Sequence, residues 1–160
     1  MSEREFVDHI RAHQGLIYKL VSIYSYNEED KQDLYQEIMY QAWKGWSTYR
    51  GESKVSTWLY KVSLNTIFTQ KRKKNRLQYS DQLDRINTAI VPAAPEQRED
   101  AAKLQTAIKL LSEPDRAIIA LHLDGYGNKE IAELIGITTN NINVKLHRIK
   151  QQLFNLLKKL

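Results

Sequence analysis

The sequence predicts an all-α protein made of two small helical domains joined by a flexible linker. Apolar residues recur at the three- and four-residue spacing of helices, and no convincing alternating strand interrupts them. Residues 80–98 are the exception, because they lack this periodicity and hold two of the three prolines of the chain. A helix-turn-helix pattern lies near the end of the sequence. We therefore expect a first domain over residues 1–79, a linker over 80–98 and a second domain over 99–160.

The first domain is expected to contain helices in a simple order. The first begins near Glu3 and is interrupted near Gly15. The next begins after Asn27, because the acidic residues that follow it are stabilised by the unpaired amide groups of a first helical turn. The polar segment 47–53 ends that helix. A further helix resumes at Val55 and runs into a cluster of lysines and arginines.

The second domain is expected to hold two helices followed by a helix-turn-helix. Pro114 lies near the first turn of the second of these helices. A helix-turn-helix needs a small residue where its two helices touch and a residue that accepts a left-handed backbone in the turn. Ala132 and Gly136 stand at these two places. An apolar stripe with 4-3-4 spacing then follows on the last helix, and it consists of Ile142, Leu146, Ile149 and Leu153.

The outward face of this last helix is expected to contact DNA. Amide, hydroxyl and basic groups suit base edges and phosphates, and the candidate residues are Thr138, Asn140, Asn141, Val144, Lys145 and Arg148. No acidic residue follows Glu133, so this helix carries no charge that repels a phosphate backbone. The alternative is a helical hairpin with a solvated basic face. The combination of small residue, glycine, apolar stripe and missing acid favours DNA binding.

The composition argues against several other kinds of protein. Cysteine is absent, which excludes disulfides, thiolate metal sites and cysteine nucleophiles and suits a reducing cytosol. No stretch reaches the roughly 18 apolar residues of a membrane span. His9 and His13 have an i, i+4 spacing that can hold a metal, but the other two histidines are distant, so we expect surface histidines. We expect no enzyme, no metal, no cofactor and no small-molecule substrate.

The order of the motifs resembles that of the bacterial RNA polymerase sigma factors, specifically their extracytoplasmic-function (ECF) group. Residues 33–65 are similar to the polymerase-binding helix and the promoter-melting segment of that family. Residues 111–136 are similar to its fourth region, which contains the helix-turn-helix. The resemblance implies a cytoplasmic protein, associated with the nucleoid when bound to polymerase, that recognises promoter DNA and has no reaction of its own. Core RNA polymerase and promoter DNA are the implied partners, and an anti-sigma factor is a further candidate.

The resemblance also implies roles for individual residues. The residues implied to bind core polymerase are Asp33, Leu34, Gln36 and Glu37. The residues implied to contact the minus-10 element of the promoter are Lys54, Asn65, Lys71, Arg72, Lys73 and Lys74. The helix-turn-helix residues given above correspond to the minus-35 element. Asp33 and Glu37 are i, i+4 neighbours of like charge, so a basic partner would explain them, and a solvated acidic turn is the alternative.

Two features of the first domain have competing interpretations. The basic run 71–76 holds five lysines and arginines, and on charge alone a solvated helix end is the simpler explanation. Its position after Asn65 favours phosphate contacts, and about four such contacts would contribute close to four units to the salt dependence of binding. Trp58 could stack on a melted base, but its helical apolar neighbours favour a place in the core.

A transcriptional regulator that never touches polymerase is the alternative function. It accounts for the helix-turn-helix but not for the helix that contains Asp33 and Glu37. Binding to purified core polymerase separates the two hypotheses.

Overall fold

The structure is a computed structural model that describes residues 2–77 and 96–160, the side chains of residues 74–77 and 96–98 excepted. Every regular element in these ranges is an α-helix, as the sequence predicts. The chain divides into two compact units. The first contains α1 (Glu3–Ala12), α2 (Gln14–Tyr24), α3 (Glu28–Trp46) and α4 (Val55–Leu77). The second contains α5 (Glu96–Lys109), α6 (Glu113–Leu123), α7 (Asn128–Ile135) and α8 (Thr139–Lys159).

The starts of the helices in the first unit follow from local chemistry. At the start of α1, the Ser2 hydroxyl accepts from the amide of Glu5, whose carboxylate accepts from the amide of Ser2. At the start of α3, the side chain of Asn27 accepts from the Asp30 amide at 2.7 Å. Both caps pair amide groups that a first helical turn would otherwise leave without a partner.

The first helical segment is interrupted at His13, two residues before Gly15, which itself lies inside α2. The amide of His13 is shared between the carbonyls of His9 and Ile10, and its ring Nδ1–H donates to the His9 carbonyl at 2.7 Å. These bonds satisfy the end of α1 locally, so the break forms without a glycine.

The core of the first unit lies among α2, α3 and α4. Its fully buried side chains include Leu20, Ile38, Leu59 and Ile67, and burying each large apolar side chain contributes about 1.5–3 kcal/mol. Gly45 lies in the last turn of α3 and Trp58 in the first turn of α4. A Cβ atom added at Gly45 would lie 3.3 Å from Cζ2 of Trp58, which shows that the two helices approach closely here.

The second unit contains the predicted helix-turn-helix as α7 and α8. Gly136 ends α7 with a φ of 87°, a left-handed conformation that favours glycine, and its amide donates to the Ala132 carbonyl at 2.8 Å. Thr138 then begins α8 by accepting from the Asn141 amide at 3.1 Å. The apolar stripe of α8 is buried, as predicted, and α8 packs against α5, α6 and α7.

The expected linker is only partly described. Helix α5 begins at Glu96, so residues 96–98 of that segment already belong to a helix. Residues 80–95 lie outside the described residues, as do residues 78 and 79 of the expected first domain. In the described part of the chain, no helix combines the length and the apolar character that crossing a bilayer requires.

Candidate nucleic-acid and partner interfaces

One open groove collects all four residues that the sequence analysis assigns to polymerase binding. We call it the α3–α4 groove. It has a volume of about 430 Å³ and is lined by Asp33, Leu34, Gln36, Glu37, Tyr40 and Gln70. The side chains of Asp33 and Gln36 are exposed and that of Glu37 is half-buried. Leu34 is only 5% exposed, so it forms part of the core beneath the groove and offers little surface to a partner.

The α3–α4 groove carries negative charge and no basic lining residue. The Glu37 carboxylate accepts a hydrogen bond from the Gln41 side chain at 3.0 Å, which holds the carboxylate in place one helical turn before Gln41. Asp33 adds a second carboxylate to the same surface. A basic or amide-rich helix fits this lining better than an acidic one, because like charges would be brought together in the second case.

Two lining residues of the groove, Tyr40 and Gln70, were not predicted from the sequence. Tyr40 is 55% exposed, and it continues the i, i+3, i+4, i+7 spacing of residues 33, 36 and 37, so the helical period alone could have identified it. The ammonium group of Lys44 lies 5.2 Å from the centre of the Tyr40 ring. Gln70 comes from α4, and nothing in the local sequence signals that it lies beside α3.

The loop between α3 and α4, residues 47–54, is exposed but fixed at its base by aromatic packing. The Tyr49 ring stacks on Trp46 with centroids 5.4 Å apart, and it lies 5.2 Å from Trp58. Its hydroxyl donates to the carbonyl of Ser53, which closes the loop. Lys54 ends the loop as an exposed residue whose carbonyl accepts from the Trp58 amide. The loop therefore presents polar backbone and side chains on a rigid aromatic base.

Trp58 takes part in this packing, in line with the interpretation that the sequence favours. Its ring is half-buried and contacts Trp46 at a centroid distance of 5.8 Å. On its other side it meets the backbone of Gly45. The indole supports the loop instead of projecting from it.

Asn65 lies on a different part of the surface from the loop. It is exposed on α4, in one stripe with Lys61, Thr69 and Arg72. At 1.5 Å of rise per residue, Asn65 is about 15 Å along the helix axis from Val55. Asn65 is therefore almost three helical turns beyond the start of α4, where the loop ends.

The basic run lies within α4, which continues through Leu77. Arg72 and Lys73 are exposed, whereas the Lys71 ammonium group lies 4.9 Å from the ring centre of Tyr26 and 5.7 Å from that of Tyr24. The side chain of Lys74 lies outside the described residues. That about four charges of the run contact one phosphate backbone therefore stays a prediction, and Arg72 and Lys73 are the members that the structure shows as exposed.

The helix-turn-helix presents most of its candidate residues on one exposed surface, which we call the α8 recognition face. Asn141, Val144 and Arg148 follow one another at i, i+3, i+7 and are exposed. Asn140 flanks them on one side, and half-buried Lys145 flanks them on the other. Thr138 is exposed, but its hydroxyl is engaged in capping α8.

The sequence analysis also missed a contact between the two helices of this motif. The side-chain amide of Asn128, at the start of α7, donates to the side-chain carbonyl of Asn143 on α8. This bond links the first turn of α7 to the recognition helix and occupies Asn143. The two asparagines are 15 positions apart, so no local pattern identifies the pair.

His122, at the end of α6, is less suited than an ordinary histidine to carry a positive charge. Burial lowers the pKa of His122, and the positive charge of Lys150 lowers it further. The imidazole is therefore more readily neutral than an ordinary histidine.

His9, in the first unit, packs on Trp46 with the two ring centroids 5.5 Å apart. No cluster of metal-ligating side chains occurs within residues 2–77 and 96–160.

Comparison with known families gives matches to both units. Residues 9–77 match the family described as Sigma-70 region 2, which takes in α2, α3 and α4. Residues 101–153 match the family described as Sigma-70, region 4, which takes in the helix-turn-helix. Together the two ranges cover most of the chain, in the order that the sequence analysis expects.

Individual relatives agree with these matches. The ECF RNA polymerase sigma factor SigM of Mycobacterium tuberculosis is 25% identical over 150 residues, which cover 92% of this chain and 74% of SigM. The RNA polymerase sigma factor SigV of Bacillus subtilis is 28% identical over 145 residues, which cover 87% of this chain and 82% of SigV.

Solved structures show the same fold. The sigma factor RpoE of Bartonella quintana, solved in complex with the anti-sigma factor NepR, has a TM-score of 0.83 at 24% identity, covering 97% of this chain and 98% of that one. CnrH, solved with the cytosolic domain of CnrY, has a TM-score of 0.71 at 17% identity, covering 99% of this chain and 90% of that one.

Proposed function

The chain belongs to the sigma-70 family of RNA polymerase sigma factors, in its ECF group, and we propose that its α3–α4 groove binds core polymerase while α4 and α8 contact promoter DNA. The observation that supports this division is the grouping of the candidate residues. Those assigned to polymerase line one acidic groove, and those assigned to the minus-35 element lie on one face of α8. We propose the same division for the domains, with residues 1–79 and 99–160 acting at different promoter elements.

Polymerase binding through the α3–α4 groove is supported by its charge and its shape. Asp33 and Glu37 lie beside the amides of Gln36 and Gln70 and the exposed ring of Tyr40. Carboxylates, amides and an aromatic ring suit a basic helical partner, which would bury the tyrosine ring and form ion pairs at its edges. Leu34 contributes by fixing α3 from below.

Contact with the minus-10 element is proposed for the loop 47–54 together with α4. The loop offers exposed backbone and the charge of Lys54, and Asn65 offers both a donor and an acceptor to an unpaired base. Arg72 and Lys73 then contact phosphates further along α4. The rigid aromatic base beneath the loop favours binding without reordering, which lowers the entropic cost of recognition.

Contact with the minus-35 element is proposed for the α8 recognition face. A recognition helix of this kind enters the major groove with its N-terminal residues towards the base edges. Asn140, Asn141 and Val144 occupy that end, and Lys145 and Arg148 are placed for phosphates.

An anti-sigma factor is a further proposed partner. Two structural neighbours, RpoE and CnrH, were solved as complexes, one of them described as containing an anti-sigma factor. We propose that the protein is cytoplasmic and that it associates with the nucleoid when it is bound to polymerase, because the promoter DNA lies in the nucleoid.

The experiment for this proposal is binding of the full chain to purified core polymerase and to DNA, measured separately. We expect a stable complex with core polymerase, and promoter-specific binding that depends on the polymerase. A regulator acting alone would give the reverse, with operator binding by the free chain and no affinity for core. The reverse result would refute the proposal.

A further inference from the structure

In the first turns of α8, the structure separates two asparagines without a side-chain hydrogen bond to the described residues from a third whose side-chain carbonyl is engaged. Asn143 is bonded to Asn128 and therefore holds α7 against α8. The side-chain amides of Asn140 and Asn141 have no hydrogen-bond partner among the described residues. Only the backbone amide of Asn141 is engaged, and it donates to the Thr138 hydroxyl at 3.1 Å. This cap fixes the backbone position of Asn141 and leaves its side chain available.

Val144 is the apolar member of the same face. It is 61% exposed, on a helix whose other early apolar residue, Ile142, is fully buried. Burial in the core does not explain a valine at this position, because most of its surface is exposed. In the major groove, by contrast, an apolar side chain has a specific target in the C5-methyl group of thymine.

The spacing of the two residues matches the spacing of neighbouring base pairs. Val144 lies three residues after Asn141, which is about 4.5 Å along the helix axis, and successive base pairs are about 3.4 Å apart. The amide of asparagine can bond to N6 and N7 of adenine in a bidentate manner. Glutamate and aspartate are the typical partners of N4 of cytosine, and no acidic residue follows Glu133, so adenine is the favoured partner of Asn141.

We propose that Asn141 and Val144 determine specificity at the minus-35 element, with Asn141 contacting an adenine and Val144 the methyl group of a thymine on an adjacent base pair. The inference rests on the proposed function, because it assumes that α8 lies in the major groove of the promoter. It adds the identity of the base pairs, two neighbouring A·T pairs, which the family match does not supply.

The test uses the full chain with core polymerase on a promoter library that is randomised upstream of the minus-10 element. Sequencing the transcripts gives the base preference at each position. We expect wild-type protein to select adjacent A·T pairs. Asn141→Ala should lower the preference for the adenine by about 10-fold, because a bidentate pair is lost. Val144→Ala should lower the preference for the thymine by about 4-fold, as expected for one buried methyl group.

Two variants of the same helix serve as matched controls. Phe154→Ala removes another exposed apolar side chain and Asn155→Ala another exposed amide, each ten or more residues beyond the recognition positions. Because the readout is a ratio of bases within one library, a change in overall activity does not affect it. Both controls should keep the wild-type preference.

A second arm isolates the methyl group itself. Replacing the selected thymine by uracil removes only the C5-methyl, so wild-type initiation should fall about 4-fold while the Val144→Ala variant should not distinguish the two bases. Equal use of thymine and uracil by wild-type protein, selection of G·C pairs at these positions, or an unchanged preference in both variants would overturn the inference alone. If no promoter is selected at all, the proposed function fails and the inference fails with it.

Discussion

The ammonium group of Lys71 lies 4.9 Å from the centre of the Tyr26 ring and 5.7 Å from that of Tyr24. These tyrosines belong to the end of α2 and the turn that follows it, so the lysine links α4 to a distant part of the chain. A charge that the sequence assigns to DNA is therefore engaged within the protein. A cation above an aromatic face is stabilised by the ring quadrupole.

The first prediction concerns the stability of the first unit. Lys71→Ala should lower its free energy of unfolding by about 1 kcal/mol, because the contacts with two rings are lost. All three tryptophans of the chain lie in this unit, so urea unfolding followed by tryptophan fluorescence measures it selectively. Lys73→Ala removes the same charge from an exposed position and is the control. Equal stability of the two variants would contradict a structural role for Lys71.

The second prediction concerns the salt dependence of promoter binding. Changing Arg72 and Lys73 together to Ala should reduce the slope of log K against log salt by about 2, because each phosphate contact contributes about 0.9. Adding Lys71→Ala should reduce it little further, since the Lys71 ammonium group lies against the rings of Tyr24 and Tyr26. A further loss of about one unit in the threefold variant would show that Lys71 contacts a phosphate as well.

The third prediction concerns the α3–α4 groove. Reversing both charges with Asp33→Lys and Glu37→Lys should weaken binding to core polymerase at least about 10-fold, because like charges would meet across the interface. The matched control is Asp8→Lys, which reverses an exposed charge on α1 outside the groove. Fluorescence anisotropy of labelled protein measures both affinities. The same loss in the control would mean that net charge, and not this groove, determines the affinity.

Leu34 has a different role in the same region, and its variant separates support from contact. Because the side chain is 5% exposed, Leu34→Ala should cost about 2–5 kcal/mol of stability in the first unit. In the Asp33→Lys, Glu37→Lys variant, by contrast, the free energy of unfolding of the first unit should be nearly unchanged. If the Leu34→Ala protein were as stable as the wild type yet failed to bind polymerase, Leu34 would have to be reassigned to the contact surface.

The fourth prediction concerns the turn of the helix-turn-helix. Gly136→Ala should destabilise the second unit by about 1–2 kcal/mol, because an alanine is strained at a φ of 87°. Gly15→Ala is the matched control, since Gly15 is helical with nothing within 4 Å of an added Cβ, and it should be neutral or stabilising by up to about 1 kcal/mol. Urea unfolding followed by far-ultraviolet circular dichroism measures both. Equal effects of the two changes would contradict the left-handed turn.

Features set by local chemistry were predictable from the sequence. The start of α3 at Asn27 and the turn at Gly136 each depend on residues within one or two helical turns, and both were predicted correctly. The stripe from Ile142 to Leu153 was identified by its period alone. The fold class and the helix-turn-helix are therefore encoded in short stretches of the chain.

Features set by contacts between distant residues were not predictable in the same way. The place of Gln70 beside α3, the packing of Lys71 on Tyr26 and the bond between Asn128 and Asn143 each join residues at least 15 positions apart. A sequence without aligned relatives contains no signal for such pairs.

The most direct test of the central claim is run-off transcription with purified core polymerase, the full chain and a promoter library. The account predicts start sites downstream of a shared two-part promoter sequence, which disappear when the chain is omitted and are strongly reduced by the Asp33→Lys, Glu37→Lys variant. Transcripts without sequence-selective start sites, or start sites that are identical without the chain, would contradict it.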